Sequence, residues 1–138
     1  MRLKVKLDSG SFVPVRAHRN DAGLDLFGIS EVIVPAKGMA VLDTGCHVQI
    51  PADHVGFVKS KSSLMLHGIT TDGTIDCGYT GSIRVVLFNH SNQDVTLQAG
   101  QKIAQLVILP IITPTVEIVA HLDNTERGNG GFGSTGKF

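Results

Sequence analysis

The chain has 138 residues, 42% of them hydrophobic, and its twelve Lys and Arg balance its twelve Asp and Glu. One domain is expected at this length, burying roughly two-thirds of its unfolded surface. Zero net charge excludes bulk attraction to nucleic acid or an anionic membrane, so any anionic ligand must be held by a few placed groups.

Along the chain, "RLKVKL" (Arg2–Leu7) alternates with period two and reads as a strand. Its charges at every second residue exclude a signal peptide, and a cytoplasmic protein is expected. "AGLDL" (Ala22–Leu26) sets a lone Asp25 between apolar neighbours, which a strand-end turn explains as well as a site does. "PAKG" (Pro35–Gly38) and "PAD" (Pro51–Asp53) are turn signals. "SKSS" (Ser60–Ser63) leads into "SSLMLHG" (Ser62–Gly68), for which about two helical turns are predicted. Hydroxyls, free N–H groups and Lys61 at a helix start suit phosphate, and ordinary serine N-capping accounts for the same pattern.

"GTIDCGYTG" (Gly73–Gly81) reads as a strand, a tight turn and a second strand, with Asp76 near the bend and the chain's single tyrosine, Tyr79, three residues on. Its glycines leave main-chain groups open to a flat ligand, and a plain hairpin whose Asp and Gly serve the turn is the alternative. "SIRVVLF" (Ser82–Phe88) is a β-branched run, followed by turn signals at "NHSNQD" (Asn89–Asp94) and "QAG" (Gln98–Gly100). "IAQLVILPII" (Ile103–Ile112) carries polar Gln105 and Pro110 and is too short to span a bilayer. "TVEIV" (Thr115–Val119) is a last β-branched run. Many short strands at this spacing predict an all-β sandwich or barrel with one short helix.

The tail "RGNGGFGSTGKF" (Arg127–Phe138) contains G-x-G-x-x-G and nearly matches a Walker A loop. Both motifs need a following helix, and only two residues follow Gly136. Cys46 and Cys77 are expected as free buried thiols. The six histidines lack metal-ligand spacing, and no G-x-S-x-G elbow is present.

Taken in order, "AGLDL", "SKSS", "GTIDCGYTG", "GQKIAQL" and "RGNGGFGSTG" resemble the five motifs of the homotrimeric dUTP pyrophosphatases, from about Ala22 to Gly136. The resemblance implies a jelly-roll-like β domain over residues 1–125 and a mobile lid over 126–138. It implies hydrolysis of dUTP to dUMP and pyrophosphate by water attack at the α-phosphorus, which keeps uracil out of DNA and supplies dUMP for thymidylate synthesis. Asp76 would activate the water. Lys61, Ser62, Ser63 and Gln105 would grip the phosphates, with Mg2+ on the triphosphate and reached by Asp25 only through water.

Main chain at Thr74 and Ile75, with Arg84 on the facing strand, would read uracil, and Tyr79 would lie under the deoxyribose. From the lid, Arg127 would reach the triphosphate, Phe132 would stack on uracil, and Gly133, Ser134 and Thr135 would hold the γ-phosphate. The resemblance also implies a homotrimer with shared sites, and with zero net charge no nucleic-acid or membrane partner is expected. Lys61, Asp72, Ser82, Gln101 and Lys102 depart from the commonest family residues.

Two rival readings share this scaffold. A dCTP deaminase needs a site glutamate, and Glu31, Glu117 and Glu126 all lie away from the third motif. A regulatory module would hold a protein partner, in addition to catalysis or in its place.

Overall fold

The computed structural model describes residues 1–138. In chain order it contains β1 (Lys4–Leu7), β2 (Gly23–Phe27), β3 (Val32–Val34), β4 (Met39–Gln49), β5 (His54–Lys59), α1 (Ser62–Met65), β6 (Ile69–Thr70), β7 (Asp72–Ile75), β8 (Ser82–Asn89), β9 (Val95–Leu97) and β10 (Lys102–Pro110). One four-stranded sheet runs β1-β4-β8-β6 and a second runs β2-β10-β5-β7, with β3 and β9 as a separate pair. Every pairing is antiparallel. No helix is long and apolar enough to cross a membrane.

Period-two alternation explains the sandwich. In β8 the residues Ile83, Val85 and Leu87 are buried while Arg84 and Phe88 face out. They meet Leu26, Val58 and Leu106 of the other sheet in one core that also takes in Val34 and Leu97. Each such side chain contributes about 1.5–3 kcal/mol on burial. The expected all-β architecture with a single short helix is what the chain forms.

Four details differ from the sequence reading. The helix is one turn, Ser62–Met65, not two, because its chain turns at once through Leu66–Gly68 into β6. "TVEIV" forms no strand: the sheets end at Pro110, and Ile112, Val116 and Ile118 are exposed. A β-branched run needs a partner edge, and this one has none within the chain. Residues 111–125 thus lie outside the sheets together with the tail. Cys46 is buried, which pushes its thiol up to about 11, whereas Cys77 is exposed. Finally, β7 and β8 are not a hairpin. β7 pairs with β5 and β8 with β4 and β6, so the chain crosses between sheets twice.

The first crossing is fixed at Thr71, which is buried. Its N–H donates to the Ser60 hydroxyl, and that hydroxyl donates to the Thr71 carbonyl, both at 2.8 Å. The return crossing is the turn from Asp76 to Gly81, where the Tyr79 N–H donates to the Asp76 carbonyl at 3.0 Å.

Candidate functional site

The return crossing opens a cleft of about 260 Å³ lined by Thr74, Ile75, Asp76, Tyr79 and Arg84. β7 is the edge strand of its sheet, so its outer main-chain donors and acceptors are unpaired. Arg84 stands opposite Asp43 on β4, and the Ser82 hydroxyl donates to the Asp43 carboxylate. Burial pushes the Asp43 carboxyl up, but bonds from Ser82 and the Gly45 N–H, with the Arg84 charge, hold it below the ordinary value.

Tyr79 is fixed by donating its hydroxyl to the Ser82 carbonyl at 2.8 Å. Its ring lies so close to Gly81 that a Cβ there would come within 2.5 Å of the phenol oxygen. Glycine at 81 is what lets the ring lie flat against the chain. The Asp76 side chain is exposed, and its carboxylate accepts no bond from the rest of the protein.

A second group lies on β2, β10 and the start of α1. Asp25 is mid-strand and buried, not at a strand-end turn. Lys61 donates to one of its oxygens, and Lys102 lies 2.8 Å from the other. Burial raises the Asp25 carboxyl, but the two lysines outweigh it and hold it below the usual carboxylate range. Beside it Gln105 is half-buried and donates to the Ser60 carbonyl at 3.0 Å, which accounts for a polar residue in an apolar run.

Ser62 and Ser63 are exposed at the first positions of α1. Lys61 occupies the cap position with no side-chain cap bond, so serine N-capping does not explain this stretch.

A folded-state carboxyl held low contributes stability that is present above its unfolded value and lost as pH falls through the lowered one. Asp25→Asn is therefore expected to cost about 1–3 kcal/mol at neutral pH, discounted because the half-exposed Lys102 can turn to water. Urea unfolding should show that difference shrinking below about pH 4, where the wild type loses the same charge.

The third group is the tail. Its hydrogen bonds are all local: the Arg127 Nε donates to the Gly130 carbonyl at 2.9 Å, and the Ser134 N–H to Gly131 at 3.1 Å. Arg127, Ser134 and Thr135 line a common hollow with Glu126, while Phe132 is fully exposed with a left-handed φ of 49°. Gly133 also has a positive φ, of 95°.

The structure thus brings four third-motif residues, Thr74, Ile75, Asp76 and Tyr79, together with Arg84, and sets Asp25, Lys61 and Gln105 side by side. It does not bring the three groups into one cavity within a chain. Sequence reasoning missed His47, whose ring bridges the Thr80 carbonyl and Asp8, and it missed the Ser60 clamp on Thr71.

Most of the unusual positions have a structural account. Asp72 pairs with Lys59 across β7 and β5 at 2.5 Å, Ser82 holds Asp43, and the Gln101 side chain accepts from the Gln98 N–H at 3.0 Å. Lys102 supplies the second charge on Asp25.

A family model described as dUTPase matches residues 11–136. The chain belongs to the dUTPase family. It is 41% identical over 141 residues to a deoxyuridine 5'-triphosphate nucleotidohydrolase of Clostridium acetobutylicum, covering 99% of this chain and 97% of the other. The dUTPase of Staphylococcus bacteriophage 80alpha, solved with dUpNHpp, superposes with a TM-score of 0.91 at 30% identity over 99% of both chains. A mutant dUTPase from phage phi11 of S. aureus, described as coordinating a structural Mg(II) ion, gives 0.82 at 27% identity, over 88% of this chain and 98% of that one. None of Glu31, Glu117 and Glu126 lines the cleft of Asp76 and Tyr79, as a deaminating glutamate there would have to.

Proposed function

We infer that the chain hydrolyses dUTP to dUMP and pyrophosphate, as befits a dUTPase. The observation that carries this is the cleft itself. A free strand edge at Thr74 and Ile75 faces an aromatic ring and an unengaged carboxylate, with Arg84 alongside.

Uracil enters against the β7 edge, where main-chain groups replace a base partner. A fixed donor–acceptor pattern disfavours cytosine, because mismatched polar groups would be left unpaired, a discrimination often about 10⁴-fold. The close backbone leaves no room for the thymine methyl. Tyr79, held down on Gly81, underlies the deoxyribose and disfavours a 2′-hydroxyl.

Asp76 takes the proton of the attacking water as it approaches the α-phosphorus, and pyrophosphate leaves from the opposite side. Positioning and charge neutralisation carry most of such a phosphoryl transfer. Lys61, Ser62, Ser63 and Gln105 receive the phosphate chain. Asp25 keeps Lys61 extended and in place.

The chain has no cluster of three or more His, Cys, Asp or Glu side chains suited to a metal ion. Isolated carboxylates of this kind fit Mg2+ that arrives on the triphosphate and keeps most of its water, with Asp25 reaching it through a water molecule. When bound, the ion neutralises charge on the phosphate oxygens.

Because the cleft and the tail hollow share no lining residue, and the Asp25–Lys61–Gln105 group lines neither, a site completed between subunits of a homotrimer is the arrangement we favour. Arg127, Phe132, Gly133, Ser134 and Thr135 then close over nucleotide as a lid. The direct test is pyrophosphate release in Mg2+ from dUTP beside dCTP, dTTP and UTP. Release from dUTP at least about 10³-fold faster than from the others is expected. Comparable release from UTP or dCTP would remove the cleft from its assigned role.

A further inference from the structure

We propose that His47 is a positioning residue for the Asp76–Gly81 turn, gripping the Thr80 carbonyl as a doubly hydrogen-bonded imidazolium and thereby tying dUTP affinity to pH. The proposal rests on the reading of the cleft as the deoxyuridine site.

The turn has few restraints. Within it the Tyr79 N–H bonds the Asp76 carbonyl, and the Tyr79 hydroxyl bonds Ser82 at the start of β8. The one hydrogen bond that reaches it from elsewhere in the chain comes from His47 on β4, whose Nδ1 lies 2.8 Å from the Thr80 carbonyl. Thr80 sits between Tyr79, which lines the cleft, and Gly81, on which the Tyr79 ring rests. Whatever holds the Thr80 carbonyl therefore restrains the main chain on which the ring rests, alongside the Tyr79–Ser82 bond at the ring's far end.

The other ring nitrogen, Nε2, lies 3.0 Å from the Asp8 carboxylate. A carbonyl and an ionised carboxylate can only accept, and a neutral imidazole can donate from one nitrogen alone. Both bonds at once require the protonated ring.

A bulge makes this reach possible. Pairing between β4 and β8 is irregular from Asp43 to His47, and Gly45 there has a φ of 58°. Any side chain at Gly45 would collide with the Ser11 hydroxyl. Beyond the bulge, His47 comes level with Ser82 at the end of the turn.

The charged surroundings are mixed. From β1, Lys6 is directly across from His47 and opposes its protonation, with Lys4 further along, and Asp8 just past the strand favours it. On β4, Asp43 is already satisfied by Ser82 and faces Arg84 of β8. The turn itself adds the Asp76 carboxylate. The bond to Thr80, then that to Asp8, raises His47 above the ordinary histidine value. A group raised on folding is fully effective below its unfolded value and loses its contribution as pH rises through the raised one. The clamp is thus complete in mild acid and slackens on the alkaline side, where a neutral ring can serve only one of its two partners.

KM and kcat for dUTP, measured from about pH 5.5 to 9, test this with wild type, His47→Gln and Asp8→Asn. Wild-type KM should rise on the alkaline side with little change in kcat. In Asp8→Asn that rise should move to lower pH. In His47→Gln it should vanish, with KM raised roughly three- to tenfold on the acid side, the worth of one hydrogen bond. The nucleotide's own titrations appear in all three profiles, so the differences decide. Profiles that superimpose overturn the proposal.

NMR titration of the nucleotide-free protein gives a second readout independent of turnover. The Tyr79 and Thr80 amides should follow the His47 ring, with a shifted midpoint in Asp8→Asn, and amides that ignore the ring overturn the clamp. Amides that follow the ring in a protein unable to hydrolyse dUTP would leave the clamp standing and sink the reading of the cleft.

Discussion

Asp76→Asn should slow dUTP hydrolysis by about 10²–10⁴-fold, the usual contribution of a general base, while dUTP binding changes little. Asparagine keeps the shape and loses only the ability to accept a proton. The carbonyl that shapes the turn, bonded by the Tyr79 N–H, is main chain and survives the change. The carboxylate itself is exposed and accepts no bond from the protein, so folding does not depend on it. Thermal unfolding should be unaltered within about 0.5 kcal/mol, as for an unengaged surface side chain. Single-turnover hydrolysis beside equilibrium binding separates the two effects. A variant that binds dUTP and cleaves it at the wild-type rate would move the base to another residue.

Ending the chain after Thr125 should lower kcat/KM for dUTP by about 10²–10³-fold, from the combined loss of one charge-assisted Arg contact and one base–aromatic stack. Stability should be unaffected, because the tail's hydrogen bonds run almost wholly within Arg127–Gly136, apart from the Gly128 N–H to the Thr125 hydroxyl. Phe132 buries nothing in the absence of nucleotide. A tail of this kind contributes only when ligand orders it, and the ordering entropy sets its net worth. The shared-site arrangement adds a sharper expectation. Truncated chains refolded together with Asp76→Asn chains should regain activity, since a mixed assembly can combine an intact carboxylate with an intact tail from another subunit. No regain from mixtures shown to have exchanged subunits would confine each site to one chain.

Arg2–Leu7 was legible from its period-two alternation, although only Leu3 and Leu7 reach the core, and Ser82–Phe88 was legible as a β-branched run whose Ile83, Val85 and Leu87 are buried. The site residues were legible for a different reason. Glycines at 73, 78 and 81, and serines around Lys61, are short-range chemistry that survives without knowledge of the fold. What could not be read was pairing at a distance. Gly73–Gly81 has the composition of a hairpin, yet β5 and β4 claim its two arms into different sheets.

"TVEIV" has strand propensity and no neighbour to use it on. His47 carried no signal beyond the histidines' lack of metal-ligand spacing, because its partners stand 33 and 39 positions away. Asp25 read equally well as a turn residue or a site residue because Lys102, which helps neutralise it, is brought alongside only by the β2–β10 pairing.

That same pairing governs how the chain emerges from the ribosome. Gly23 of β2 is opposite Val107 of β10, so at translation rates of about 5–20 residues per second roughly 80 residues must follow before the partner exists, a delay of roughly 4–17 s. During that interval "GLDLF" is a short apolar strand with both edges open, the kind of segment that seeks out identical strands on other nascent chains. Asp25 in its middle is then an unpaired negative charge, repelling its own copies and costly to bury in a zipper. Once Lys61 and Lys102 arrive, the charge that kept the unfinished strand apart becomes one that native packing accommodates.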